Sequence, residues 1–266
     1  MNALLRHCGR FLATIGLDPR RPFRAIKAWP YYRNDRKEFV KQHDATGNKF
    51  GPLGTFPILT DRFDESGSVR SHYFRQDLHV AQRVFHTNPK QHVDVGSRLD
   101  GFVGSLASFR EVVVLDFRPQ PVKLRNITFR QADLMSELPL ELIGCTDSLS
   151  CLHTIEHFGL GRYGDPIRYD GHLVGWRNLT RILSPGGRFH FSTPIGRQRI
   201  EFNAHRVFGV PYLLEMFKES FELVQCSYIS DEGELHENVD PHSPEAADSW
   251  GCLYGCGIFE LVKKSG

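Results

Sequence analysis

Apolar runs that each end at a carboxylate recur along the middle of the chain. HVDV (His92–Val95) and VVVLD (Val112–Asp116) are separated by a Gly-containing turn and a short stretch of helical spacing. This order predicts a strand, a tight loop, a crossover and a second, parallel strand. NITFRQADL (Asn126–Leu134) predicts a third strand ending at Asp133, and DSLSCLHTIEHF (Asp147–Phe158) a fourth. Upstream, Phe74, Leu78, Ala81, Val84 and Phe85 recur at helical spacing, and Asn88-Pro89 closes that helix. Its N-terminal end, with Tyr73 and Asp77, is expected over the strand ends. Downstream, LVGWRNLTRIL (Leu173–Leu183) predicts a helix stopped by Ser184-Pro185-Gly186-Gly187, followed by the strand RFHFSTP. A helix near Pro211–Lys218, a strand near Glu222–Ile229, an acidic loop and a last strand near Gly257–Val262 complete the pattern. The fold class is therefore α/β.

Such strands open at their C-terminal ends onto a crevice, where the first turn presents backbone N–H groups at a helix start. Gly96 and Gly101 admit a ligand close to the backbone, and Ser97 lies between them. Asp116, about 20 residues past the turn, is placed for the hydroxyls of a ribose. Asp133 is placed for an adenine amino group and Asp94 for an amino-acid ammonium. Arg98 stands where a dinucleotide-binding loop has its second Gly. A pyrophosphate is thereby disfavoured and a phosphate-free ribose ligand, S-adenosylmethionine, is favoured. A plain βαβ unit with capping acids remains the alternative on these residues alone.

Composition narrows the class further. The 266 residues include 24% charged and 40% hydrophobic side chains, as in an ordinary globule, and allow an α/β domain plus an extension. We place the extension, helical and irregular, at residues 1–70 and the main domain at 71–266. A net charge of +2 gives no support for a nucleic-acid partner. Six scattered cysteines suit a reduced, cytoplasmic protein. No apolar run reaches the roughly 18 residues of a membrane span. Arg6, His7 and Arg10 interrupt the first 17 residues, against a signal peptide. Leu4, Leu5, Cys8, Phe11, Leu12 and Ile15 share one helical face there, suited to docking or to peripheral membrane contact. The following basic and aromatic stretch is expected to be broken by Pro19, Pro22 and Pro30.

With a Gly loop after strand one, an acid ending strand two, an Asp after strand three and L-S-P-G-G before strand five, the chain resembles the class I S-adenosylmethionine-dependent methyltransferases over roughly Gln91–Lys264. Within that class DVGSRLDGF, SLSCLHTIEHFGLGRYGDP and FNAHRVF resemble an uncharacterised domain-of-unknown-function family often associated with bacterial surface-polysaccharide gene clusters. The resemblance implies a Rossmann-like, seven-stranded, mostly parallel sheet with one antiparallel edge strand. It also implies S-adenosylmethionine as cofactor and a sugar or glycan precursor of surface polysaccharide as acceptor.

His153, Glu156 and His157 follow the fourth strand, where such enzymes present residues to the methyl group. An alcohol acceptor must lose a proton, and His157 is the expected general base, with Glu156 orienting it. Capping of the next turn is the alternative. The same residues spell H-T-I-E-H, a zinc-hydrolase pattern that needs a continuous helix; the glycines that follow oppose one, and no metal is assigned. GLGRYGDP suits a lid that brings Arg162, Tyr163 and Asp165 to a polar substrate. Asn203, His205 and Arg206 add donors and acceptors suited to a sugar or a phosphate-bearing group. Both segments also suit a non-catalytic binding or scaffold protein on the same fold. The oligomeric state is not legible.

Overall fold

The computed structural model describes residues 18–265, apart from 19, 46, 48, 49, 65, 68, 70 and 122. The helix expected over residues 2–15 lies outside them. The chain divides into two compact units, residues 1–68 and 69–266.

In the first unit, α1 (Arg20–Ala45) is a single helix of 26 residues with Pro30 inside it, so the expected breaks do not occur. Pro22 falls in the first turn, where a missing N–H has no intrahelical acceptor to lose, and Pro30 forfeits only one bond of a long ladder. An irregular segment and a single 3₁₀ turn, Asp61–Phe63, follow. Arg24–Asp64 at 2.7 Å and Asp35–Arg62 at 2.6 Å join them to the helix. Both pairs are exposed and contribute little to stability.

The second unit opens with α2 (His72–Thr87), whose Val80, Ala81 and Val84 are buried and whose end is a left-handed Asn88 with φ 42°. The strands are β1 (His92–Val95), β2 (Val112–Asp116), β3 (Ile127–Gln131), β4 (Thr146–Leu152) and β5 (Leu183–Ile195). A five-residue π turn, Leu99–Val103, and the short α3 (Gly104–Ala107) fill the first crossover. After α4 (Gly171–Ile182), β5 takes up the Ser184–Gly187 segment that was expected only to stop the helix. A two-stranded ribbon, β6 (Arg199–Glu201) with β7 (His205–Val207), precedes α5 (Val210–Lys218). The chain closes with β8 (Phe221–Ile229), β9 (Leu235–His236), α6 (Pro244–Ala247) and β10 (Gly255–Lys263).

The main sheet has eight strands in the order β3-β2-β1-β4-β5-β10-β8-β9. From β3 to β5 all pairings are parallel. β10 enters antiparallel between β5 and β8, and the two-residue β9 is antiparallel at the edge. The sheet thus has one strand more than the seven expected, and its longer opposed strand is internal. β9 arises in the acidic loop, where Leu235 and His236 are too few to show a period in sequence.

Each sheet face carries an apolar layer. On one, Trp176 of α4 packs against Phe189, Phe191, Phe217 and Phe221 with ring centroids 5.2–5.6 Å apart. On the other, Val80 and Val84 of α2 meet Phe102, Leu106 and Val114. Burial on both faces explains why β1 and β4 read as continuous runs. The order of strands reverses between β1 and β4, so their C-terminal ends open the crevice.

Candidate functional site

A cleft of about 400 Å³ lies over the C-terminal ends of β1, β2, β3 and β4. The β1 loop forms its floor. Gly96 has φ 73° and donates its N–H to Leu115 O at 2.9 Å. A Cβ at Gly96 would stand 2.3 Å from Thr154 Cγ2, so the turn demands glycine on both counts. Ser97, Gly101, Asp116 and Asp133 line the cleft with Gly96, and so do His153, His157, Tyr163 and Asp165.

Three predicted residues are brought near the cleft in other roles. Asp94 is fully buried beneath the loop. Its carboxylate accepts from Ser97 N (3.1 Å), Ser97 Oγ (2.8 Å) and Ser150 Oγ (2.6 Å), so it braces the loop instead of reaching a ligand. Burial pushes its carboxyl up to about 6, against the pull of those hydrogen bonds. Asp165 is likewise spent on its own loop, accepting from Gly159 N, Gly161 N and Tyr163 N at 2.9–3.2 Å. Arg206 is buried and donates to Phe158 O at 2.7 Å and Tyr169 O at 2.9 Å, tying both ends of that loop to β7. The expected lid is therefore internally braced. Arg162, Asn203 and His205 do not line the cleft. Arg162 donates to Ala204 O at 3.2 Å, Asn203 holds a left-handed turn at φ 63°, and the His205 ring packs on Tyr254 at 4.7 Å.

Two acids form the far wall. Asp116 receives a two-pronged contact from Arg118, whose Nε and Nη2 stand 3.0 and 2.5 Å from its oxygens. Asp133 accepts from Met135 N at 2.8 Å and Ser136 Oγ at 2.7 Å. Asp116 Oδ1 also accepts from Arg118 N at 2.9 Å, so with two lone pairs per oxygen Asp116 keeps acceptor capacity on Oδ2 and Asp133 on both oxygens.

On the other side, β4 ends at Leu152, and His153, Glu156 and His157 lie beyond it on a 3₁₀ turn, Ile155–His157. His153 holds φ 47°, a costly conformation for a residue with a Cβ. Its Nδ1 stands 3.0 Å from Glu156 Oε1 in a fully buried pair. Burial alone lowers His153, but Cys256 and the Glu156 carboxylate outweigh it and hold the ring well above its ordinary value. Among the described residues, Nε2 of His153 and Oε2 of Glu156 have no hydrogen-bond partner.

His157 is arranged differently. Its Nδ1 donates to Ala204 O at 2.7 Å, which fixes the tautomer and leaves Nε2 as the basic lone pair. That nitrogen lies 3.8 Å from Glu156 Oε1. Burial keeps His157 below its ordinary value, partly countered by Glu156. The turn is too short to act as the helix that a zinc-hydrolase pattern needs, and among the described residues no three His, Cys, Asp or Glu are grouped to hold a metal.

Sequence reasoning noticed Asp77 without assigning it to the site and missed Gln76. Both line the cleft from α2, and Gln76 Nε2 donates to Asp77 Oδ1 at 3.0 Å. Gln76 is nearly fully buried. It lies four and eight residues before Val80 and Val84, and a polar side chain in that apolar stripe was the available signal.

A family model described as a Caenorhabditis protein of unknown function, DUF268, matches residues 139–247. No curated protein matches the chain. Among solved structures, the N-methyltransferase NodS from Bradyrhizobium japonicum WM9, in complex with S-adenosyl-L-homocysteine, is similar at 13% identity and TM-score 0.50, over 73% of this chain and 88% of that one. The [4+2]-cyclase SpnF is similar at 14% identity and TM-score 0.51, over 76% and 86%. The protein has a Rossmann-like methyltransferase fold. On that fold the cleft described above falls at the strand-order reversal, the place where open α/β sheets bind ligands.

The residues present fit an adenosyl amino acid. Asp116 and Asp133 stand at the ends of neighbouring strands with acceptor capacity left, and Asp77 lies against Gly101 of the loop from α2.

Proposed function

We propose that the protein is a cytoplasmic S-adenosylmethionine-dependent methyltransferase acting on a hydroxyl or amino group of a small polar acceptor. The observation that carries this reading is His157. It is a cleft-lining imidazole whose Nδ1 is committed to Ala204 O and whose Nε2 remains basic. The bound cofactor supplies an electrophilic methyl group. Asp116 would hold its ribose and Asp133 its adenine, while the acceptor's proton passes to His157 Nε2. The imidazolium so formed lies beside the Glu156 carboxylate, which lowers the cost of the charge. Alignment of the two reactants in one cleft supplies much of the remaining rate.

For the acceptor class we propose a sugar or glycan precursor. Tyr73 and Tyr163 line the cleft, and the His157 and Tyr163 rings are perpendicular with centroids 5.5 Å apart. The surface-polysaccharide context rests on the sequence resemblance alone. Free thiols at Cys145, Cys151, Cys226, Cys252 and Cys256 support a reducing compartment. Among the described residues no helix is long and apolar enough to cross a membrane.

A second reading is favoured by one observation: a structure similar to this one is titled a [4+2]-cyclase, so the fold alone does not set the reaction. Calorimetry with S-adenosylhomocysteine and transfer of labelled methyl from S-adenosylmethionine to a panel of sugars and amines separate the readings. The methyltransferase reading expects binding by both wild type and His157→Gln, with turnover in His157→Gln reduced about 10²-fold or more. Binding without transfer by the wild type to any acceptor favours the second reading, and absence of binding overturns both.

A further inference from the structure

We infer that Asp77, on the helix before the sheet, is the group that recognises the ammonium of an amino-acid-bearing adenosyl ligand, a task the strand-end Asp94 cannot perform. The inference rests on the proposed cofactor and names the side chain that selects its amino-acid tail.

Six acids lie in or under the cleft, and two of them, Asp100 and Asp116, have a cationic partner at salt-bridge distance. Asp94 is fully buried beneath the loop, where Ser97 and Ser150 donate to it. Asp100 pairs with Arg98 at 2.6 Å and Asp116 with Arg118 at 2.5 Å. Asp133 and Asp165 accept from N–H and hydroxyl groups of their own turns. Asp77 has the Gln76 amide at 3.0 Å and the Phe102 backbone N–H, both neutral donors. Among the described residues no cationic side chain reaches it at salt-bridge distance, and His153 and Arg98 attract it only from farther away. Desolvation of this half-buried carboxylate outweighs those attractions, so its charged form is costly and the Asp77 carboxyl is pushed above its ordinary value. A cation bound in the cleft removes that cost.

Its position says which cation. A Cβ built on Gly101 would stand 2.8 Å from Asp77 Oδ2, so the carboxylate rests directly against the far end of the glycine loop. Asp116 and Asp133, the groups suited to ribose and adenine, lie at the β2 and β3 ends of the same cleft. A ligand with its nucleoside there and a charged tail along the loop brings an ammonium to Asp77. Gln76 sets the carboxylate's orientation. Its Oε1 accepts from Ser192 Oγ at 2.5 Å, which anchors the pair to β5.

The test compares two ligands that share the nucleoside. S-adenosylhomocysteine carries the amino-acid tail and 5′-methylthioadenosine lacks it. Titration calorimetry of the full chain should show wild type binding the former more tightly. Asp77→Asn, nearly isosteric, should weaken S-adenosylhomocysteine about tenfold or more and leave methylthioadenosine within about twofold. Equal weakening of both ligands would make Asp77 a structural residue and overturn the inference, as would unchanged affinity for S-adenosylhomocysteine. Wild type that binds neither ligand overturns the cofactor reading together with the inference. Wild type that binds both alike overturns the inference alone. Glu215→Gln, on an exposed pair with Lys218 outside the cleft lining, should change neither affinity by more than about twofold, and an effect equal to that of Asp77→Asn would assign the loss to general charge.

Discussion

The Arg118 guanidinium lies 4.7 Å from the centre of the Tyr163 ring while its nitrogens grip Asp116. One side chain thereby joins the acid proposed for the ribose to the braced GLGRYGDP loop. Tyr163 is 40% exposed and its ring contributes to the cleft wall, so its loss should be felt in substrate use more than in folding. Tyr163→Ala should cost at most about 1 kcal/mol of stability and raise acceptor KM about tenfold, equivalent to ~1.4 kcal/mol. Tyr163→Phe, which keeps the ring, should behave as wild type. Steady-state kinetics beside urea unfolding of the three proteins checks this, and equal KM values for the Phe and Ala variants would remove the ring from the argument.

The protonation of His157 gives a pH dependence with a definite sign. The reactive form is the neutral ring, and burial keeps its pKa below 6.5. Turnover should therefore be level near pH 7 and decline on acidification at a pH under 6.5. Glu156 raises the His157 pKa, so Glu156→Gln should move that acid limb lower and reduce kcat several-fold. The same change strips the buried His153 of its counter-charge and should destabilise the fold by about 3 kcal/mol. The pH profile of kcat decides the first point, because an unmoved acid limb in Glu156→Gln would separate Glu156 from His157.

Much of the frame was legible because burial leaves a strong mark on sequence. β1 and β4 are covered on both faces, so they stand out as apolar runs, and Asp116 and Asp133 end strands at the side where the cleft opens. Position at a strand end does not reveal whether lone pairs are already taken. Asp94 follows the same pattern, yet it is sealed beneath the loop, held by Ser150, 56 residues away, and Ser97. Arg206 failed for a related reason: its donors suited a polar substrate, but carbonyls at Phe158 and Tyr169 reach them first. Those partners come together only through the fold of the loop. Asp77 was expected over the strand ends with its helix, but nothing in the sequence showed that it would meet the glycine loop at Gly101.

The buried Asp94 makes a stability prediction that runs against the usual behaviour of carboxylates. Its folded pKa of about 6 exceeds the ordinary 3.8, so the folded chain holds the proton more tightly than the unfolded chain. Its contribution favours folding fully below about pH 4 and is lost as the pH rises through about 6. Two units correspond to about 3 kcal/mol. The stability of wild type minus that of Asp94→Asn should therefore fall by about 3 kcal/mol between pH 4 and pH 7, the subtraction cancelling other titrating groups. Urea unfolding of both proteins at the two pH values measures it. A difference that rises with pH would show the Ser97 and Ser150 hydrogen bonds outweighing desolvation.

The contact between Gly96 and Thr154 is steric and can be partly relieved by a second change. Gly96→Ala places a methyl 2.3 Å from Thr154 Cγ2 at a backbone φ of 73°. Two costs add: the left-handed conformation of a residue with a Cβ, and the clash. Together they should destabilise the protein by about 2 kcal/mol or more. Thr154→Ser removes Cγ2 and keeps the hydroxyl that donates to Leu152 O at 3.0 Å, so alone it should cost less than about 1 kcal/mol. In the double variant the clash eases while the backbone cost remains. A double-mutant cycle should accordingly return about 1 kcal/mol of favourable coupling. Purely additive costs in urea unfolding would mean that the loop escapes the clash by moving, and S-adenosylhomocysteine affinity of Gly96→Ala should then fall with it.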